Sequence, residues 1–249
     1  SVAQHVAHTV ASGAKVVVAV SAMSGETNRL LELANLLNDA PRCQREVDVV
    51  VSSGEQVSAG LLSLALQKKK VTSVSLLGFQ IPIVTDGVFG SARIEGIAAE
   101  AITNRLKEYD VVVVPGFQGI NHQDEITTLG RGGSDTLAVA LAAALNPDVC
   151  EMYTDVDGIY STDPRLCPNA QKINKIDFEE MLEMAGAGAK VMHMRAVPLA
   201  ARYEVPLTIK SSFTPEVEGT TVLDCQSDLD PALEATLVTS VTTTVGEAK

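Results

Sequence analysis

The chain has 249 residues, 46% of them hydrophobic, with 31 acidic against 19 basic side chains and a formal net charge of −12. That length buries enough core for one large domain or two small ones, and the acidic balance argues against nucleic acid or an anionic membrane surface as partner. Aromatics are only 4% and tryptophan is absent, so aliphatic side chains must fill the interior.

Taken in chain order, Val2, Val6 and Val10 recur every four residues ahead of Gly13. The pattern predicts a short amphipathic helix with a glycine at its end. Lys15 to Val20 (KVVVAV) reads as a strand buried on both faces. A polar turn, SAMSGETN, leads into a helix with Leu30, Leu33, Ala34 and Leu37 on one side. VDVVV (Val47 to Val51) reads locally as a strand, but also as the apolar side of a helix; SSGEQVSAGLLSLALQ after it is helical from Gly54. VTSVSLL (Val71 to Leu77) and Ile81 to Val84 predict short strands, and Ala98 to Glu108 an amphipathic helix.

DVVVVPGF (Asp110 to Phe117) is the clearest buried strand. A polar loop then leads to TTLGRGGSDTLAVALAAAL (Thr127 to Leu145), a glycine-rich turn opening an apolar helix. DVCEMYTDVDG gives a strand and a turn. Helices are predicted over Phe178 to Gly186 and Lys190 to Tyr203, then strands in PLTIKSS and TTVL (Thr220 to Leu223). Strands alternating with helices imply an α/β fold, with a mainly parallel sheet covered on both faces. Residues 1–223 form the expected domain; 224–249 turn polar and acidic, then rich in Thr and Val, as a linker and the start of something further.

Several chemistries find no footing. Cys43, Cys150, Cys167 and Cys225 lack the spacing of a zinc or redox pair and read as reduced thiols. The apolar runs fall short of the ~18 residues of a membrane span, and no charged start precedes an apolar segment as in a signal peptide. A cytoplasmic location is expected. The chain opens at Ser1 rather than Met, so sequence upstream is expected as well. Neither a P-loop, a dinucleotide fingerprint nor a nucleophile elbow is present, and His5, His8, His122 and His193 are scattered.

In open α/β sheets ligands bind beyond the carboxyl ends of the strands. The residues that follow each strand here are small, polar or glycine: Ser21 to Thr27, Gln118-Gly119 and the glycine loop, Thr154 to Gly158, and Ser211-Ser212. In the glycine loop, Gly132 and Gly133 let the backbone approach a ligand, and the helix they open offers unpaired N–H groups to an anion. Arg131 adds a fork suited to a carboxylate or phosphate. Ser134 and Asp135 are also ordinary N-cap residues, but capping alone does not account for Arg-Gly-Gly beside them.

SAMSGETN, SSGEQVSAGLL, PGFQG followed by TTLGRGGSDT, YTDVDGIYSTDPR, GAKVMHMRAV and SSF…GTT occur in that order from about Lys15 to Thr221. Together they resemble the aspartate kinases of the amino-acid kinase family. The resemblance implies a three-layer αβα sandwich and transfer of the γ-phosphoryl group of ATP to the side-chain carboxylate of L-aspartate, with Mg2+ bound through the phosphates. This is the entry to lysine, threonine and methionine synthesis. It also implies two clusters. Thr27, Glu55, Phe117, Arg131, Gly132, Gly133, Ser134 and Asp135 surround aspartate, with Glu55 on the ammonium, Arg131 on the α-carboxylate, and Arg131 and Asp135 nearest the chemistry. Ser21, Thr154, Asp155, Tyr160, Arg165 and Lys190 hold ATP. Singly, Glu55 also reads as a first-turn acid, Asp155 and Asp157 as turn formers, and Lys190 as a solvated residue.

A carboxylate is already ionised near neutral pH, so its attack needs no general base. The family's opening strand, ending in Lys-Phe-Gly-Gly, is not in this sequence, and Met194 stands where the family often has proline. The family's C-terminal ACT domains are not in it either, beyond a possible first strand, and the homodimer the resemblance implies is usually joined through them. The alternatives are another kinase of this family, such as a glutamate kinase, and a non-catalytic nucleotide-binding regulatory subunit. A dehydrogenase comes last.

Overall fold

The KVVVAV and DVVVVPGF runs form strands side by side. In the computed structural model, which describes residues 1–37, 44–186, 192 and 195–224, β1 (Val16–Val20) and a later strand, Val111–Pro115, run parallel with Val20 opposite Pro115. The chain divides into two compact units, Ser1–Leu145 and Asn146–Lys249.

The first unit begins with α1 (Val2–Ala11), whose buried residues are Ala3 and Val6; Gly13 follows with φ +95°, a conformation in which glycine carries no penalty. After β1 come α2 (Glu26–Asn35) and α3 (Gln44–Lys68), then β2 (Ser73–Ser75), β3 (Ile83–Thr85), β4 (Ile94–Ile97) and α4 (Ala99–Leu106). β5 (Val111–Pro115), β6 (Gln118–Ile120), β7 (Ile126–Thr128) and α5 (Gly133–Leu145) complete it. The main sheet has the order β1-β5-β2, all parallel. The central strand β5 is buried on both faces, as its unbroken valine run predicts, whereas β1, expected to be the same, is half-buried along its length because only β5 flanks it in this sheet. Val111, Val113, Val16 and Val18 face α1 and α3, while Val112, Val114, Val17 and Ala19 face α4 and α5. The unit is therefore three-layered, helix on sheet on helix.

VDVVV, open to either reading in sequence, is helical: α3 is one continuous helix of 25 residues. Its buried positions 47, 48, 51, 52, 55, 59, 63 and 66 follow the helical period, which the local run of β-branched residues conceals. This helix is also long and apolar enough to cross a membrane by length and composition, although no uninterrupted apolar run is. Yet it buries Asp48 and Glu55 and packs against the main sheet, as a core helix does. In α2 only Leu30 is buried and Ala34 partly so; Leu33 is exposed, and Leu37 lies past the helix end.

The stretch after Phe117 read as a polar loop supplies β6 and β7 of a second sheet, β4-β3-β6-β7, in which β3 overlaps the strand expected at Ile81 to Val84. Its three- and four-residue strands contain glycine and threonine; β3 pairs with β4 and β6 with β7 as neighbours in the chain, and Val84 opposite Ile120 joins the two pairs across a long separation. Gly119 is obligatory there: a Cβ would lie 2.6 Å from the Ile83 carbonyl oxygen.

The second unit, taken by itself, contains β8 (Glu151–Thr154), β9 (Ile159–Tyr160), β10 (Lys172–Ile173), β11 (Lys175–Asp177), α6 (Phe178–Gly186), α7 (Ala196–Arg202), β12 (Leu207–Ser211) and β13 (Thr220–Leu223). The sheet order is β11-β13-β12-β8, with β12 parallel to β8, and β9 and β10 form a hairpin. Ile176, Met181, Val197, Leu207, Ile209 and Val222 are buried. Of the predicted Lys190–Tyr203 helix, Ala196–Arg202 is helical, while Lys190, Val191, His193 and Met194 lie outside the described residues. So do Cys43, Cys225 and the predicted linker from 225 on.

Candidate active site

β1 and β5 end level with each other, and the first backbone contact beyond them is Gly116 N–H donating to the Val20 carbonyl at 2.8 Å. A Cβ on Gly116 would fall 2.6 Å from Ser134 Oγ and 2.9 Å from that carbonyl. Only a glycine therefore lets the first turn of α5 sit against the end of β1. Gly116→Ala is expected to destabilise the first unit by about 1–3 kcal/mol through overpacking, read as a lower denaturant midpoint at unchanged m-value.

The next residue, Phe117, has φ +67°, a costly conformation for a bulky side chain. Its carbonyl accepts the Leu129 N–H at 2.8 Å, and its ring packs with Leu30, Val47 and Val51 of α2 and α3. A Cβ at Gly133 would meet the ring at 3.0 Å, so the glycine gives Phe117 its place beneath the helix start. Gly130 and Gly132 flank Arg131 with φ +73° and +68°. Arg131 itself is exposed and makes no ion pair among the described residues. Gly132 O accepts both the N–H and the hydroxyl of Thr136, at 3.0 and 2.9 Å, closing the first turn of α5; Ser134 and Asp135 lie half-buried in that turn.

From the other side comes Glu55. It is 3% exposed, and Oε1 accepts the Ala22 backbone N–H at 3.2 Å. Its Oε2 is buried and has no hydrogen-bond partner among the described residues. Burial is the main influence on this carboxyl and pushes its pKa above the ordinary 4.5; the Ala22 N–H works against it. A Cβ on Gly54 would meet Ala22 at 3.1 Å, so the post-β1 turn rests directly on α3. Ser21 is exposed and Thr27 half-buried in the first turn of α2. Contacts thus run from Glu55 through Ala22 and Val20 to Gly116 and Ser134. They join three sequence motifs that lie far apart in the chain.

Of the polar residues behind this cluster, the sequence placed Gln118 beyond a strand end without a role and did not single out Asp48. Gln118, 1% exposed, donates to the Ser52 carbonyl at 3.2 Å and accepts from Gln56 at 3.1 Å. Asp48, fully buried, accepts hydrogen bonds from Gly90, Thr128 and Gln44. An acid inside the run VDVVV was its one visible signal.

In the second unit, Thr154 ends β8 and its carbonyl accepts the Ser212 N–H at 2.8 Å, where the parallel strand β12 ends. Thr154 Oγ1 donates to Asp155 at 3.1 Å. The Tyr160 hydroxyl donates to Asp157 at 3.1 Å; burial first, then that carboxylate, raises its pKa. Lys172, also missed by sequence reasoning, donates to the Glu218 carbonyl at 2.7 Å and braces the Asp157 turn. Arg165 is paired bidentately with Asp163, at 3.1 and 3.0 Å, with its side chain 88% exposed. So exposed a pair costs little to exchange for another anion. The described residues contain no group of three or more His, Cys, Asp or Glu able to hold a metal ion.

A profile of the amino acid kinase family matches residues 1–211. An aspartokinase of Pseudomonas aeruginosa is 51% identical over 238 residues, covering 96% of this chain and 57% of that protein. Among solved structures, an aspartate kinase from Synechocystis superposes with a TM-score of 0.77 at 50% identity, over 90% of this chain and 37% of that one. E. coli aspartokinase III, solved in complex with aspartate and ADP, superposes at 0.76 with 30% identity, over 89% of this chain and 61% of that one. The chain thus spans little more than half the length of the curated relatives it matches.

Proposed function

The chain belongs to the amino acid kinase family, and from that premise we propose that it supplies the catalytic part of an aspartate kinase, converting L-aspartate and ATP into 4-phospho-L-aspartate and ADP. The observation that carries the reading is Glu55: a buried carboxylate oxygen with no partner, on the helix facing the ends of β1 and β5. Leaving such an acceptor unsatisfied costs free energy in the unliganded protein. An α-ammonium group satisfies it. Arg131, which makes no ion pair among the described residues and sits on a glycine-flanked turn, supplies the complementary fork for the α-carboxylate. A cation and an anion on one carbon are the signature of a free α-amino acid. An acetylated amine or a nucleotide offers Glu55 no ammonium.

With the backbone of aspartate held in this way, its side-chain carboxylate is the nucleophile. One of its oxygens bonds to the γ-phosphorus as the bond to the bridging oxygen breaks, and ADP leaves with that electron pair. No proton moves, so no base is needed. The chain's task is positioning and N–H donation, for which the first turn of α5 with Ser134 and Asp135 is placed. For ATP the reading assigns Ser21, Thr154, Asp155, Tyr160, Arg165 and Lys190, Arg165 and Lys190 to the phosphates. Mg2+, carried on the phosphates, supplies charge neutralisation there. The complex of E. coli aspartokinase III with aspartate and ADP supports both substrates.

Trapping the acyl phosphate tests this. With MgATP and excess hydroxylamine, hydroxamate is expected with L-aspartate and not with L-glutamate or without acceptor. Equal yield with glutamate would move the substrate to another amino acid, and ATP binding without hydroxamate would favour a regulatory subunit.

A further inference from the structure

Asp48 has no part in the chemistry above, yet it is among the most heavily hydrogen-bonded side chains in the first unit. It is completely buried. Its Oδ2 accepts the Thr128 N–H at 2.7 Å and the Gly90 N–H at 2.9 Å. Its Oδ1 accepts the Thr128 hydroxyl at 3.0 Å and the Gln44 amide at 3.3 Å. Four donors from three segments use the acceptor capacity of one carboxylate.

What these segments carry is the point. Thr128 is the last residue of β7, and only Leu129 and Gly130 separate it from Arg131. Gly90 packs on the same turn: a Cβ on Gly130 would lie 3.0 Å from the Gly90 carbonyl, and Ala92 N–H donates to the Thr128 carbonyl at 2.9 Å. Asp48 and Glu55 lie on one helix, two turns or roughly 10 Å apart along its axis, and both face inward. One carboxylate therefore ties the helix bearing Glu55 to the strand end bearing Arg131.

We propose that Asp48 is a positioning residue that sets the separation between Glu55 and Arg131, and so the fit of the site to an α-amino acid. The inference rests on the function proposed above. It adds a determinant of specificity that touches no substrate.

The test is steady-state kinetics of Asp48→Ala and Asp48→Asn, with binding titrations of L-aspartate and of succinate, which lacks the ammonium group. Alanine leaves the Thr128 and Gly90 N–H groups unanswered. Asparagine can turn its oxygen to both of them and donate its NH2 to Thr128 Oγ1 and to a reversed Gln44 amide. The expected result for Asp48→Ala is a KM for L-aspartate raised about 10- to 100-fold, as for a displaced positioning group, with the KM for ATP unchanged. Its preference for L-aspartate over succinate should shrink, and Asp48→Asn should restore most of both. Three results would overturn the proposal: an unchanged aspartate KM in Asp48→Ala, a parallel rise in both KM values with the preference intact, or asparagine as damaging as alanine.

Should Asp48→Ala not fold, Thr128→Val removes one donor and keeps the N–H. It should raise the aspartate KM alone by about 2- to 10-fold, and no change would again overturn the reading. If the unsubstituted protein forms no aspartyl hydroxamate, the proposed function fails. If it does and these variants behave like it, only the role of Asp48 fails.

Discussion

Arg131→Ala is expected to raise the L-aspartate requirement about 10- to 150-fold, the equivalent of about 1.5–3 kcal/mol for a hydrogen-bonded charge partner. ATP dependence should be unchanged. So should the melting temperature, because Arg131 is exposed and makes no ion pair among the described residues. That contrast separates it from an arginine that merely holds the fold. Lysine keeps the charge but not the paired N–H groups of the fork, so Arg131→Lys should recover only part of the loss. The measurement is kinetics in both substrates beside a thermal melt. Unchanged aspartate kinetics would remove Arg131 from the site.

Glu55→Gln should separate binding from stability. For binding, loss of the negative charge facing an ammonium costs about 1.5–3 kcal/mol, a weakening of about 10- to 150-fold in L-aspartate affinity. For stability the sign is opposite. Burial raises the Glu55 pKa above its ordinary 4.5, so the folded state binds the proton more tightly than the unfolded chain. The contribution of Glu55 to stability is then full below about 4.5 and is lost as pH rises through the elevated folded value. At neutral pH the free protein carries a buried, half-satisfied charge that glutamine removes while still accepting the Ala22 N–H. Glu55→Gln should therefore melt higher than the unsubstituted protein at pH 7 to 8, with the gap closing as pH falls towards 4.5. L-Aspartate should in turn bind more weakly as pH falls through the same range, because the protonated acid no longer attracts an ammonium. Melting curves and titrations across pH check both halves. A variant less stable than the parent at pH 8 would show that Glu55 is a structural group satisfied in some other way.

The two experiments bear on opposite ends of one amino acid. Gly116→Ala and Asp48→Ala bear on the frame that holds those ends apart. In the free protein the site is assembled at some cost to stability. Phe117 sits at positive φ, Glu55 keeps a buried acceptor unpaired among the described residues, and Gly130 and Gly133 give up side chains to admit close contacts. Strain of this kind concentrates where a ligand is to be bound.

The local features are legible in the chain: the valine runs of β1 and β5, the polar residues beyond them, and the glycine turn that opens α5 with Arg131, Ser134 and Asp135. Each depends on neighbours within a few positions, through hydrophobic period, glycine freedom and exposed helix-end amides, so each is readable without knowing the fold. The ordered motifs also carried the family resemblance. The remaining features depend on contacts made in the folded chain. VDVVV has the composition of a strand and becomes helix because Asp48, Ser52 and Glu55 must all turn to one side, towards partners up to 80 residues away. The short strands β4 and β6 contain glycine and have little propensity of their own, β7 is β-branched but only three residues long, and all three exist by pairing with one another and with β3. That Glu55 holds one oxygen on Ala22 and leaves the other unanswered is likewise invisible in the chain. An acid at a given position looks the same in sequence whether it is solvated, paired or waiting for a ligand; burial and the reach of donors distinguish these, and both are properties of the folded whole.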